Sequence, residues 1–183
     1  MEAAITVIPE DMSDLQDCIM KSAGGDAEAF RTLFDHIHDP IFRYLLSRSS
    51  SRDDALDALQ EVFIDIWKAL GSFEYRSDKQ FYGFMFRITK RRLIKYYRSK
   101  KYITIEFDEH FVTDNYQMPY EDYTRLWQWL GQLKPKYQEL LRLRYWSGMS
   151  FQEIAAVLEI KEGTAKVWHH RAIKRIEQLA NSS

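Results

Sequence analysis

Outside residues 102–124, nearly the whole chain places apolar residues three and four positions apart, and no stretch alternates as paired strands would. That period gives helices with one buried stripe, so the pattern predicts an all-α protein. The clearest case is DALDALQEVFIDIWKAL, Asp54 to Leu70. Ala55, Leu59, Val62, Phe63, Ile66 and Leu70 share one face, while Asp57, Gln60, Glu61, Ile64 and Lys68 lie opposite with Trp67 at the edge. An Ile among carboxylates, bordered by Trp, suits a protein-docking surface. A solvated face with one stray Ile gives the same pattern.

A second helix runs through FRITKRRLIKYYRSKK, Phe86 to Lys101, which holds eight Lys or Arg and no carboxylate. Phe81, Phe84, Met85, Ile88 and Tyr96 gather on one side, and Arg87, Lys90, Arg91, Lys95, Arg98 and Lys101 fall within an arc of about 140° on the other. Phe86 and Tyr97 border that arc, an arrangement suited to phosphate neutralisation with base stacking. Solvated faces normally mix both signs of charge. A membrane-surface helix would present a Leu/Trp insertion face, whereas the apolar residues here look like core. Nucleic acid is therefore the expected partner, with a solvated or membrane-facing helix as the alternatives.

The third element spans Tyr145 to Leu179. Ser150-Phe-Gln-Glu153 is a capping box that starts a helix, with Ile154, Ala155 and Leu158 on its buried side. After a break at Glu159–Lys161 a second helix turns Ala165, His169, Ala172, Ile176 and Leu179 inward and Thr164, Lys166, Val167, His170, Arg171 and Lys174 outward. Two helices joined by a short turn, the second basic, fit a helix-turn-helix that reads a major groove; a plain αα-hairpin is the alternative. Upstream, Pro135 sits in the first turn of a further helix.

Charge changes this picture from one basic protein to a sorted one. Twenty-six Lys and Arg against 27 Asp and Glu give a formal net charge of -1. The first 35 residues are acidic, residues 81–101 carry only cations, and residues 102–124 carry Glu106, Asp108, Glu109, Asp114, Glu121 and Asp122 with no Lys or Arg. Blocks of opposite sign mark separate surfaces. Two small helical domains joined by a flexible acidic linker are expected within the 183 residues: an acidic N-terminal segment 1–24, a first domain 25–103, the linker 104–123 and a second domain 124–183. Cys18 stands alone, which excludes an internal disulfide framework, and it reads as a small hydrophobe on a helix. His36, His38, His169 and His170 lack metal-ligand spacing. No apolar run approaches the roughly 18 residues that span a bilayer, and the acidic N-terminus is unlike a signal peptide. A cytoplasmic protein without cofactor, metal or membrane insertion is expected.

Taken in order, these segments resemble the extracytoplasmic-function (ECF) sigma factors of bacterial RNA polymerase, from about Gly25 to Leu179. GDAEAFRTLFDHIHDPIFRYL resembles the start of sigma region 2, and DALDALQEVFIDIW the segment that docks on the polymerase clamp. FYGFMFRITKRRLIKYYR resembles the segments that melt and read the −10 element, and LKPKYQELLRLRYWSGMSFQEIAAVLEIKEGTAKVWHHRAIKRI the −35-reading region 4. The resemblance implies that Asp57, Gln60, Glu61, Ile64 and Trp67 meet core polymerase, whose clamp and flap are the expected contacts. It implies that Phe84, Arg87, Lys90, Arg91, Lys95, Arg98 and Lys101 hold the −10 strand, with Phe73 and Tyr75 helping to trap an unstacked base. Thr164, Lys166, Val167, Trp168, His170, Arg171 and Lys174 would serve the −35 element, and the linker would thread toward the polymerase cleft. An anti-sigma factor, often membrane-bound in the family, is a further partner that the resemblance allows.

The departures from the family pattern sit where DNA is read. Phe84 stands where Trp is usual, Arg91 for Asn and Lys95 for Asp; Glu159 replaces a turn Gly, His169 a core-facing Leu, and Trp168 a frequent basic residue. Cations at 91 and 95 add phosphate affinity and remove hydrogen-bond discrimination. Either the chain reads an unusual promoter, or promoter choice is delegated to another DNA-targeting partner, an activator or an RNA-guided effector. A free-standing helix-turn-helix regulator is a rival reading. A nuclease using Asp108, Glu109, Asp114 and Asp122 as metal ligands is another, but no helix or strand would hold those carboxylates rigid.

Overall fold

The computed structural model describes residues 12–49, 51–100 and 123–181. Among these the chain is helical with no strand: α1 (Met12–Ala23), α2 (Ala27–Leu46), α3 (Arg52–Leu70) and α4 (Asp78–Lys100) precede the linker segment, and α5 (Tyr123–Gly131), α6 (Pro135–Leu141), α7 (Phe151–Leu158) and α8 (Glu162–Asn181) follow it. Caps set the boundaries. Asp26 accepts from the Glu28 and Ala29 amides to open α2, and Ser51 accepts from the Asp54 amide to open α3. Ser150 and Glu153 form the expected reciprocal box, and Pro135 occupies the first turn of α6, where no intrahelical amide bond is lost.

Leu15 and Ile19 of α1 are buried with Leu33 and Ile37 of α2 and Val62 and Ile66 of α3, so part of the acidic N-terminal stretch belongs to the first bundle. Phe81, Met85, Phe86 and Leu93 bring α4 into the same core. Phe86, placed by periodicity at the border of the cationic arc, is fully buried and packs edge-on against Tyr44, with ring centroids 5.4 Å apart. It is unavailable for base stacking. The cause is that α4 is covered from two directions, by α2 and α3 on one side and by α7 on another.

In the second group, α7 and α8 pack through Ile154, Ala165 and Ala172. Between α6 and Ser147 the helix widens into a π-helical turn, Arg142–Trp146, which periodicity did not foresee. The turn between α7 and α8 passes through Glu159 at φ 55°, a left-handed conformation that costs a non-glycine residue roughly 1 kcal/mol. The two groups touch. An added Cβ at Gly83 would lie 3.4 Å from the Ala156 carbonyl oxygen, so α4 and α7 cross almost backbone to backbone. The Ser147 hydroxyl also donates to the Pro40 carbonyl, at 3.1 Å. The acidic segment expected to link the domains lies outside the described residues apart from its last position.

Candidate nucleic-acid interface

On α3 the expected docking residues stand free of the core. Ile64 is 45% exposed and Trp67 37%, with Trp67 edge-on against Phe30 at 4.7 Å. Asp57, Gln60 and Glu61 are exposed beside them. Periodicity missed Leu56, 38% exposed, which extends the stripe as Leu56, Gln60, Ile64 at four-residue steps. Its signal was its place one turn before Gln60. Glu61 is tied down from α4: Arg92 reaches it at 2.9 Å while also gripping Asp65 at 2.7 and 2.8 Å. Arg92 therefore braces α4 on α3 and does not join the outward cations.

The outward cations divide into two groups. Arg91 and Lys95 are exposed and have no ion-pair partner among the described residues. Arg87 and Lys90 point at the second helical group, Arg87 to Glu159 at 3.5 Å and Lys90 to Glu139 at 3.3 Å. Arg87, Lys90, Arg91, Ile94 and Lys95 line a groove of about 500 Å³ against Val157, Leu158 and Glu159. The side chain of Arg98, and Lys101 altogether, lie outside the described residues. Phe84 is half-buried and packs on Phe73 at 4.6 Å, and Phe73 also meets Phe81 at 5.6 Å. The Tyr75 hydroxyl donates to Asp78 at 2.8 Å, and burial followed by that bond pushes its pKa up to about 12.

Glu139 is the centre of a partly buried polar cluster that sequence reasoning did not single out. Its carboxylate accepts from the Tyr44 hydroxyl at 2.7 Å and pairs with Arg48 at 3.5 Å and Lys90 at 3.3 Å. Burial alone would raise this carboxyl, but Arg48, Lys90 and the Tyr44 hydroxyl outweigh it and hold it below the ordinary value. Burial, then the Arg48 charge, lower neighbouring Arg142 to about 10.

On α8, Lys166, Val167, His170, Arg171 and Lys174 are exposed and Thr164 is partly so, in agreement with the expected outward face. Trp168 departs from that set: it is half-buried against Tyr137 of α6, with Lys136 stacked 4.6 Å above its ring. The indole packs, and the cation it presents comes from α6. His169 faces the π-helical turn, where its Nε2 lies 2.9 Å from the Tyr145 hydroxyl, and its ring meets Phe151 edge-on at 5.3 Å. Burial, then Arg144 and His170, lower its pKa below the ordinary 6.5. A base whose folded pKa is depressed gives stability that is complete above its unfolded pKa and lost as pH falls through the folded one. Acidification from pH 7.5 to 5.5 should therefore lower the melting temperature. His169→Leu should flatten that dependence in calorimetric scans; an unchanged slope would remove His169 as its source.

Fold and surfaces together give an all-α chain with an exposed apolar stripe on α3 and a one-signed cationic face on α4. Known proteins place it further. A family model for Sigma-70 region 2 matches residues 33–102, and one for Sigma-70, region 4 matches residues 123–176. The RNA polymerase sigma factor SigV of Bacillus subtilis is 32% identical over 143 residues, covering 76% of this chain and 83% of that protein. The ECF sigma factor SigX of the same organism is 26% identical over 159 residues, covering 80% of this chain and 81% of that protein. Among solved structures, CnrH in complex with the cytosolic domain of CnrY superposes with a TM-score of 0.70 at 22% identity, over 93% of this chain and 99% of that one. The sigma factor RpoE in complex with the anti-sigma factor NepR from Bartonella quintana gives 0.63 at 23%, over 85% and 98%. The chain belongs to the sigma-70 family as an ECF-type RNA polymerase sigma factor. Such proteins bind core polymerase and direct it to promoters, and the family is not known as enzymatic. Among the described residues no helix is long and apolar enough to cross a membrane.

Proposed function

We propose that this sigma factor docks on polymerase through Leu56, Asp57, Gln60, Glu61, Ile64 and Trp67. In this reading it grips the −10 strand with Arg87, Lys90, Arg91 and Lys95, and reads the −35 element with the outward face of α8. The observation that carries the assignment is the separation of two surfaces on adjacent helices: an exposed apolar stripe on α3 and a one-signed cationic face on α4. The protein works in the cytoplasm, supplies no catalytic group, and leaves nucleotide chemistry to polymerase. Residues 25–103 and 124–183 act as the −10 and −35 modules. CnrH and RpoE are seen with CnrY and with an anti-sigma factor, and an anti-sigma factor is a partner for this chain too.

The test is transcription from a randomised promoter library with purified holoenzyme, where a two-part motif is expected. A second reading is favoured by the exposed Arg91 and Lys95, which have no ion-pair partner among the described residues and grip without discriminating: promoter choice delegated to a separate DNA-targeting partner. A library that yields no motif unless such a partner is added would establish it. In either case Arg91→Gln with Lys95→Gln should weaken binding to a single-stranded oligonucleotide about tenfold and flatten the log-affinity against log-salt slope by about 0.7 per cation removed. An unaltered slope would take both residues off the strand.

A further inference from the structure

We infer that Arg92 is a positioning residue for strand binding: by holding the Asp65 carboxylate, it keeps Arg91 and Lys95 free for phosphates. The inference rests on reading Arg91 and Lys95 as strand contacts, and its test separates the two.

Three observations carry it. The first is the fork. Arg92 donates from Nη2 and Nε to the two oxygens of Asp65, at 2.7 and 2.8 Å, and its Nη1 reaches Glu61 at 2.9 Å. Two bonds from one planar guanidinium satisfy a carboxylate more completely than a single ammonium can. Water has little access to the pair, since the Arg92 side chain is 16% exposed and that of Asp65 27%. The second is the setting. Asp65 and Arg92 line a groove of about 380 Å³ between α3 and α4, and Lys68, Ala69, Arg91 and Lys95 complete its lining. Asp65 thus shares a groove with three other cations while both of its oxygens are taken by Arg92. The third is what remains: Arg91 and Lys95 are exposed and have no ion-pair partner among the described residues. On the helical wheel Arg92 falls about 60° beyond Lys95, on the core side of the cationic arc, so its own charge is spent inward.

The consequence is electrostatic. Without Arg92 a partly buried carboxylate would face the groove unpaired, a costly arrangement that draws in the nearest cation. Lys95 stands one turn beyond Arg92 on α4, and Arg91 is its neighbour in the chain. A cation that turns inward to Asp65 is lost to the strand, because its charge is already cancelled and it displaces no counterion from a phosphate. The cations at 91 and 95, which replace the Asn and Asp of the family pattern, therefore depend on a third cation that does not meet DNA itself.

Affinity of the full chain for labelled oligo-dT, measured across a salt series, tests this. Arg92→Gln should weaken binding about fivefold at roughly 0.1 M salt and flatten the log-affinity against log-salt slope by about 0.7, the worth of one lost phosphate contact. Adding Asp65→Asn should restore the slope, because no carboxylate remains to draw a cation inward. That gain should exceed the gain from Asp65→Asn in the wild-type chain, which reports only the removal of a negative charge near the strand. Arg92→Lys, which keeps a charge on Asp65 without the fork, should hold the wild-type slope. A brace that serves stability alone would behave differently: Asp65→Asn would add to the damage instead of repairing it. An unchanged slope in Arg92→Gln, beside a flattened one in Arg91→Gln with Lys95→Gln, overturns the positioning role and leaves the strand contacts standing; Lys68 would then be the cation that answers Asp65. An unchanged slope in both overturns the strand contacts and the positioning role together. Should Arg92→Gln fail to fold, Arg92→Lys and the double variant still decide, since a flattened slope in either one overturns the proposal.

Discussion

Gln60→Ala combined with Ile64→Asp should weaken binding to core RNA polymerase by about 100-fold, roughly 2.7 kcal/mol, while the chain remains folded. Ile64 projects from α3 at 45% exposure and Leu56 and Gln60 continue its stripe, so these residues hold little of the domain's own core. Exposed substitutions of this kind usually shift stability by no more than about 0.5 kcal/mol. At an interface the same change is severe. It removes an apolar anchor and adds a carboxylate beside Asp57 and Glu61, so the docked face carries a third negative charge that must be desolvated. Ile94→Asp is the informative control: Ile94 is as exposed, at 49%, but lies on α4 in the cationic groove, and polymerase affinity should be unchanged. Competition binding against a labelled wild-type chain would measure both. A double variant that still binds at wild-type strength would remove the α3 stripe from the polymerase interface and leave a helix-turn-helix regulator as the better account.

How far the sequence carried depends on the range of the interaction. Features set within one helix were legible: the buried stripe of α3, the Ser150 capping box, Pro135 at the start of α6 and the outward set on α8 all follow from spacing of three or four residues. The family resemblance, not spacing, marked Glu159 as an odd residue for a turn, and what it touches was not legible. Features set by two helices meeting were illegible for a physical reason: periodicity reports that a face is covered, not by what. Phe86 was read as a border aromatic because only one covering surface for α4 was assumed, and Trp168 as a DNA contact because nothing local says that Tyr137 and Lys136 enclose it. Arg92 falls outside the cationic arc by periodicity, but that Asp65 and Glu61 hold it is set by α3 and was not legible. Glu139 is the extreme case. It is an unremarkable helical carboxylate in LKPKYQEL, and its principal partner, Tyr44, lies 95 positions away.

Glu139→Ala should produce the largest loss of stability of any single change considered, and the form of the loss is as informative as its size. Removing one member of a buried charged cluster typically costs about 3–5 kcal/mol, because the remaining charges are left without compensation. Here Arg48, Lys90 and the largely buried Arg142 would face one another without a carboxylate between them. The full cost applies only while the two helical groups stay together. Arg48 and Lys90 belong to the first group, and separation gives both back to water, so the cost is capped by whatever holds the groups closed. Two outcomes can therefore be told apart by calorimetry. If closure is strong, one transition persists at a midpoint lower by about 10 °C, taking 2–4 °C per kcal/mol for a chain of this size. If closure is weak, the single transition splits in two and the first group melts near its own value. Acid should reproduce the effect in the wild-type chain. A carboxyl held below its ordinary pKa gives stability that is complete above about pH 4.5 and lost as pH falls through the lower folded value. Glu139→Gln should lie between the two, since it keeps an acceptor for the Tyr44 hydroxyl but no charge for Arg48 and Lys90. A Glu139→Ala chain that melts as the wild type does, in one transition at an unchanged midpoint, would show that the cluster contributes no net stability and that the remaining contacts, at Gly83 and Ala156 and at Ser147 and Pro40, join the two groups.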